Sequence, residues 1–426
     1  MFYSKLTANS LNVLALRFGG VGLMFFLSLF LTNHYSADLV GQYDFVRSTM
    51  MILSGISILG TDQAIIYYSG ILNSRKPSGQ LINIYFKMSS LIFVICAILY
   101  IPIFLISEQQ INKVFDKPES YGLINLAFQG LLFYSITMLN IDTIRALKHT
   151  LISELFRNII RYTPFFFLSV IIYSIGKPEY LVKCFVYSFL LLFAISTATV
   201  FVLFLKKETP YATSEEFSIK DIFKTSYPMA LSTISYFLMQ SIDVLFLGSF
   251  DSFETIAHYS VSVKLATVTS LALISVNIVI APKIAQSYND KNFLELKSMI
   301  RKATRISLAI CIPILVIVFV FSEYILLIFG DGYLLAKNAF LILLLAQLFN
   351  CICGPSALYL NMTGRQKKLN VILLISLAIN VILNLILIPE FGMLGAALGT
   401  SLSFVFAKVL ASATVWHLDN VKTFIY

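Results

Sequence analysis

Apolar residues run along this chain in blocks of about twenty, the length a helix needs to cross roughly 30 Å of hydrocarbon. Twelve such blocks stand out, at 10–33, 39–70, 81–106, 120–140, 150–174, 179–205, 222–248, 255–281, 303–329, 334–360, 367–388 and 393–416. None alternates polar and apolar residues over about ten positions, as a transmembrane strand does. The pattern therefore predicts an all-α integral membrane protein with twelve transmembrane helices. The first block flows into the second without a small-residue cleavage site, so it reads as a span and not as a removed leader. Ahead of the ninth block, FLELKSMIRKATRI sets Leu294, Leu296, Met299, Ile300 and Ile306 among Lys and Arg. That mixture predicts a helix lying in the membrane interface.

Composition turns this reading into a requirement. Of 426 residues, 58% are hydrophobic and 12% charged, whereas a soluble chain carries about 25% charged residues. That much apolar surface needs lipid as its solvent. The net charge of +9 would suggest nucleic acid in a soluble protein, but here the basic residues sort by loop. Counted from a cytoplasmic N-terminus, twenty Lys and Arg flank the inner ends of the spans and four (Lys113, Lys117, Lys177, Lys337) the outer ends. Positive charge stays inside, so both termini are expected in the cytoplasm and nucleic acid is not an expected partner.

Little here supports catalysis. The four His (His34, His149, His258, His417) are scattered, and the outer loops are too short to house an active site. Cys96, Cys184, Cys311, Cys351 and Cys353 lie in apolar blocks and read as small core or lipid-facing residues. No metal site, cofactor or enzymatic activity is expected.

The chain also repeats itself. SADLVGQYDF at 36–45 echoes SFETIAHYSV at 252–261, and Pro178-Glu179-Tyr180 echoes Pro389-Glu390-Phe391. Six spans followed by six, both sets starting inside, describe a parallel duplication about an axis along the membrane normal. The expected organisation is a six-helix lobe at 1–205, a cytoplasmic linker at 206–221 and a second six-helix lobe at 222–426. In IPEFGMLGAALG, Pro389-Glu390 is expected to end the eleventh helix. Gly392, Gly395, Ala396, Ala397 and Gly399 would then start a closely packed twelfth.

Ionisable residues inside spans cost about 2.5–3.5 kcal/mol each on insertion scales and tend to face a wet path or one another. The set is Arg17, Asp44, Arg47, Asp62, Arg157, Arg161, Asp243, Lys264 and Lys408. Arg157 and Arg161 are spaced i,i+4, on one face of a regular helix. In the repeat, Arg47 falls opposite position 263, one residue from Lys264. The basic excess favours an anionic substrate such as a phosphate. Arg47, Arg161, Lys264 and Lys408, with Arg17, are the candidate cationic cavity. Asp62 and Asp243 are the candidates for coupling to a proton or sodium gradient.

GQYDFVRSTMMILSGISILGTDQAIIYYSG, YPMALSTISYFLMQSIDVLFLGSF, AHYSVSVKLATVTSLALISVNIVIAPKIAQSY, ILLIFGDGY, MTGRQKKLN and LNLILIPEFGMLGAALGTSLS follow one another along nearly the whole chain. In that order they resemble the polysaccharide flippase branch of the multidrug/oligosaccharidyl-lipid/polysaccharide exporter superfamily. The resemblance implies a MATE-like exporter fold and alternating access. It implies a cargo of undecaprenyl-pyrophosphate-linked oligosaccharide, moved across the bacterial inner membrane for O-antigen or capsule assembly. Membrane lipids, a polysaccharide polymerase and a chain-length regulator are the partners it implies. Asp243 falls where the family often carries an acid. Ala257 replaces the usual Gly of the second repeat, and the region of Arg17 is less family-like. The competing expectations are a cation-coupled drug antiporter of the same fold and a peptidoglycan lipid-precursor flippase.

Overall fold

The computed structural model describes residues 2–75, 80–206 and 217–424. Residues 207–216, most of the expected linker, lie outside the described residues, as does Lys76 of the second inner loop. The described chain is helical throughout, and it divides into two compact units, Met1–Leu245 and Phe246–Tyr426.

The first unit contains α1 (Phe2–His34), α2 (Ala37–Ile58), α3 (Thr61–Arg75), α4 (Gln80–Leu105), α5 (Glu108–Phe115), α6 (Ser120–Ala146), α7 (Thr150–Leu155), α8 (Thr163–Ile175) and α9 (Leu181–Lys206), and most of α10 (Ile219–Phe250). The second contains α11 (Phe253–Val268), α12 (Leu271–Asn289), α13 (Phe293–Val320), α14 (Ser322–Leu327), α15 (Lys337–Ile352), α16 (Ser356–Met362), α17 (Gln366–Phe391) and α18 (Met393–Asp419). Among the described residues nine helices are long and apolar enough to span a membrane, and twelve spans result when each of three bent pairs counts as one. Leu105, Leu205 and Val320 expose their side chains along these helices, as lipid-facing residues do.

The first bent pair is α2–α3, expected as one helix at 39–70. Leu59 and Gly60 at its break both have positive φ, 48° and 72°. A Cβ on Gly60 would lie 2.5 Å from the Ala230 amide nitrogen and the Ser226 carbonyl oxygen. The bend thus brings bare backbone onto α10. Gln63 donates to Thr233 Oγ1 at 3.0 Å, and the Tyr68 hydroxyl donates to Thr225 Oγ1 at 3.0 Å along the same seam.

The fifth block is interrupted too. Phe156–Ile160 forms a π-helical turn between α7 and α8, closed by the Arg161 amide donating to the Phe156 carbonyl at 3.1 Å. Such single-turn bulges occur frequently at functional sites.

Two expectations for the second unit are corrected. The stretch expected to lie separately in the interface is the first half of a continuous α13, with Leu296 and Ile300 fully buried against Ile284, Tyr359 and Val415. The buried stripe at i,i+4 carries the helix straight through the charged segment. Pro389 does not end α17 either. The helix continues to Phe391, and Gly392, at φ 52°, caps it by donating to the Ile388 carbonyl at 2.8 Å.

That correction realigns the repeat. In the first unit the matching cap is Gly176, at φ 72°, with Pro178 beyond it in a 3-10 turn. Gly176 and Gly392 are 216 apart, as are Ser36 and Ser252, whose hydroxyls cap α2 and α11 by accepting from the Leu39 and Thr255 amides at 3.3 and 3.1 Å. Lys148 and Gly364, both left-handed at φ 71° and 73°, keep the same spacing. The two proline motifs, 211 apart, are not structural equivalents.

Candidate functional site

In the first unit, α2 supplies Tyr43, Asp44 and Arg47, α6 supplies Tyr134, and the residues after the π-turn supply Arg161 and Tyr162. Arg161 Nη2 donates to the Tyr134 hydroxyl at 2.5 Å. Its guanidinium carbon stands 5.2 Å from the Tyr134 ring centre and 5.8 Å from that of Tyr162. Arg47 Nε donates to the fully buried Asp44 Oδ1 at 3.0 Å. Arg47, Arg161, Tyr43 and Tyr162 are electrostatic neighbours. Beneath them Tyr43 stacks on Phe165 at 5.0 Å and meets Phe185 edge-on at 4.8 Å.

Two guanidinium groups and one carboxylate leave this cluster with a surplus positive charge. Among the described residues Arg161 has no carboxylate partner; rings and a phenol hold it, a cation–π arrangement. A guanidinium so held keeps N–H donors for a phosphate oxygen.

A second polar cluster in the same unit is internally neutralised. Arg17 grips Glu154 with two hydrogen bonds, Nε to Oε2 at 3.0 Å and Nη2 to Oε1 at 2.9 Å. Asn158 adds a third donor to Glu154 Oε2 at 3.0 Å. Arg157 Nη2 donates to Asp142 Oδ1 at 2.5 Å. Asp62 opens α3 with Asp142 and Arg157 among its charged neighbours, and its Oδ1 is buried without a hydrogen-bond donor among the described residues.

The structure thus sorts the expected site residues. Arg157 and Arg161 both reach α6, but at Asp142 and Tyr134, eight residues or about 12 Å apart along the helix. They do not form a joint pair. Arg17 is engaged with Glu154 and not set beside Arg47. Glu154 and Asp142 are functional-looking acids that the sequence pattern alone did not single out. Asp142 fell beyond the expected end of the fourth helix, which in fact runs to Ala146. One signal was available: each acid stands three residues before an arginine, in DTIR and ELFR.

Asp243 is buried near the end of α10, where its Oδ1 accepts from the Val244 amide at 2.9 Å. In the second unit, Lys264 on α11 is half-buried. The caps at Ser36 and Ser252 align Arg47 with Val263, so Lys264 lies about 100° further round its helix. Ser260 stands where the first unit has Asp44. Lys408 on α18 rests its ammonium 5.3 Å from the Phe404 ring centre. Elsewhere in this unit Arg365 pairs with both oxygens of Asp419 and donates to the Tyr288 hydroxyl at 3.0 Å. Hydrogen bonding to Asp419 pushes the Arg365 guanidinium, which lies outside the spans, still further above its ordinary pKa. Among the described residues no cluster of His, Cys, Asp and Glu could hold a metal ion.

Residues 6–288 match the family described as polysaccharide biosynthesis protein, and residues 228–386 match the MatE family. The chain is 29% identical over 210 residues to the probable low-salt glycan biosynthesis flippase Agl15 of Haloferax volcanii, covering 48% of this chain and 43% of that protein. It is 24% identical over 205 residues to an uncharacterized membrane protein, MJ1068, of Methanocaldococcus jannaschii, covering 48% and 40%. The matched part spans less than half the length of these relatives. Among solved structures, the lipid II flippase MurJ in an inward closed conformation superposes with a TM-score of 0.76 at 15% identity, over 94% of this chain and 86% of that one. The MATE multidrug transporter DinF-BH superposes with 0.68 at 15% identity, over 98% and 96%. At such identities the likeness shows the fold, which is the expected two-lobe, MATE-like membrane fold.

Proposed function

We propose, given that the chain belongs to the polysaccharide biosynthesis protein family, that it is a flippase for a lipid-linked oligosaccharide. The observation that carries this is the surplus positive charge of the Arg47–Arg161 cluster inside membrane-spanning helices. Charge there is costly, and a transient pyrophosphate would offset it. The cargo is an undecaprenyl-pyrophosphate-linked unit of O-antigen or capsule, taken from the cytoplasmic to the periplasmic leaflet of the bacterial inner membrane by alternating access. Both termini face the cytoplasm, and no cofactor is needed. Arg161 and Arg47 hold phosphate oxygens, the surrounding Tyr and Phe rings bear on the first sugar, and the polyprenyl chain stays in lipid. Lys264 and Lys408 are the candidate cations of the second repeat. Asp62 and Asp243 are the carboxylates for coupling to protons or sodium, and a polymerase and a chain-length regulator take over the product.

The test is mass spectrometry of polyprenyl-linked lipids in a deletion strain, with the gene restored as wild type or as Arg161→Ala. Accumulation of one complete oligosaccharide on its carrier, with surface polysaccharide lost, is the expected result for the deletion and for the variant. An unchanged lipid pool with normal surface glycan overturns the reading. The MatE match over residues 228–386 favours a second reading, a drug or organic-cation antiporter. Sensitivity of the deletion strain to toxic cations, with no change in its lipids, would select it.

A further inference from the structure

The repeat carries an internal control at the start of α2 and α11. With Ser36 aligned to Ser252, Asp38 aligns with Glu254 and Gln42 with His258. Both pairs are spaced i,i+4. In the first unit the pair is closed: Gln42 Nε2 donates to Asp38 Oδ2 at 2.8 Å. In the second unit it is open. His258 Nε2 stands 3.9 Å from Glu254 Oε1, beyond hydrogen-bond reach.

The reason lies in the 3-10 turn Asp331–Ala336, which sits on the histidine. The Tyr333 ring meets the imidazole edge-on at 4.7 Å, and a Cβ on Gly332 would come within 3.2 Å of Nε2. His258 is only 2% exposed, and its Nε2 has no hydrogen-bond partner among the described residues. Yet Glu254, Asp331 and Gly332 are all exposed, so a proton has a short way in.

The charged surroundings are simple. On the approach to α11, Asp251 is occupied with the Ser252 amide and the Thr255 hydroxyl, both at 2.7 Å. From α15, Lys337 is paired with Glu323 of α14. α18 offers no titratable side chain before Lys408. Glu254 and Asp331, with the Tyr333 phenol, are the groups left to answer a charge on the ring.

We propose that His258 is a proton-binding site of the second unit, whose protonation closes the Glu254–His258 pair and shifts the Asp331–Ala336 turn. A neutral imidazole leaves Nε2 beneath Gly332 without a partner. The imidazolium carries N–H on both nitrogens, and a charge-assisted bond to Glu254 requires an approach of about 1 Å. Imidazole is the side chain whose unperturbed charge changes between about pH 5 and 8. The ligand is therefore the proton. In the transporter reading, on which the coupling role rests, it is a driving ion taken up at this turn, alongside the carboxylates Asp62 and Asp243.

The experiment compares amide hydrogen exchange of the peptide spanning residues 328–340 in purified wild type, His258→Gln and Glu254→Gln, without cargo, between pH 4.5 and 8. Taking the wild-type to His258→Gln ratio at each pH removes the intrinsic pH dependence of exchange. Gln is what the first repeat carries at this place, so the fold should accept it. The expected ratio is at least threefold different from one at pH 4.5 and returns to one at pH 8. Glu254→Gln should abolish that difference. A ratio constant with pH overturns the proton site. Export of surface glycan measured across the same pH range then reads the coupling. A wild-type pH dependence flattened by His258→Gln supports it, and an identical profile in the variant overturns it. Because exchange is measured without cargo, the proton site can stand or fall independently of the flippase reading.

Discussion

The first turns of α2 and α11 share one pattern, with the same serine cap and an acid and its partner four residues apart. One turn is closed by an amide and the other is held open over a buried histidine. The wider units diverge in the same sense. In the first, Arg17, Arg47 and Arg157 each meet a buried or nearly buried carboxylate. In the second, Ser260 and Val263 stand where Asp44 and Arg47 would be, and Lys408 lies against an aromatic ring. The two units share their helix-ending signals, whose chemistry is local. They do not share the charge pairs, whether local to one helix, as Arg47–Asp44 is on α2, or set between helices, as Arg17–Glu154 and Arg157–Asp142 are.

Removing one partner from the first unit's neutral network should have the largest effect. Arg17→Ala leaves Glu154, 2% exposed, as a buried charge without its fork, which typically costs about 3–5 kcal/mol. Thermal unfolding in detergent should show it, and Arg17→Ala with Glu154→Gln should recover much of the loss. If the double variant is no better than the single one, the network is not what stabilises this region.

Next in size is the anion site. Arg161→Ala should reduce glycan export by about 10–100-fold, the value of one or two charge-assisted hydrogen bonds. Arg161→Lys, which keeps the charge but not the fork, should fall between. Lys408→Ala should cost less, and an equal or larger loss there would move the weight of the site to the second unit.

Smaller effects separate a close approach from a backbone preference. Gly60→Ala adds a Cβ 2.5 Å from α10 backbone at positive φ and should destabilise by about 1–3 kcal/mol. Gly364→Ala has the same backbone sign but nothing within 4 Å of its Cβ, so it should cost only about 1 kcal/mol. Gly364→Lys should do no worse, because Lys148 already holds that conformation in the first repeat. Equal losses at 60 and 364 would mean that the α2–α3 bend is not pressed against α10.

What the sequence determined by itself was set by local physics. Blocks of apolar residues must satisfy their backbone hydrogen bonds within themselves in lipid, so the helices and their approximate ends could be read directly. The repeat could be read too, because SADLVGQYDF at 36–45 and SFETIAHYSV at 252–261 resemble each other position by position. Tertiary structure decided the rest. It turned 39–70 into a bent pair, carried α13 through a charged stretch and moved the end of α17 from Pro389 to Gly392. It also chose the partners between helices: Arg17 and Glu154 are 137 residues apart, and on α6 Arg161 meets Tyr134 while Arg157 meets Asp142. A charge in a membrane helix announces that it needs a partner. Unless the partner lies on the same helix, as Asp44 does for Arg47, which one it finds depends on the packing of other helices, and that information is distributed over the whole fold.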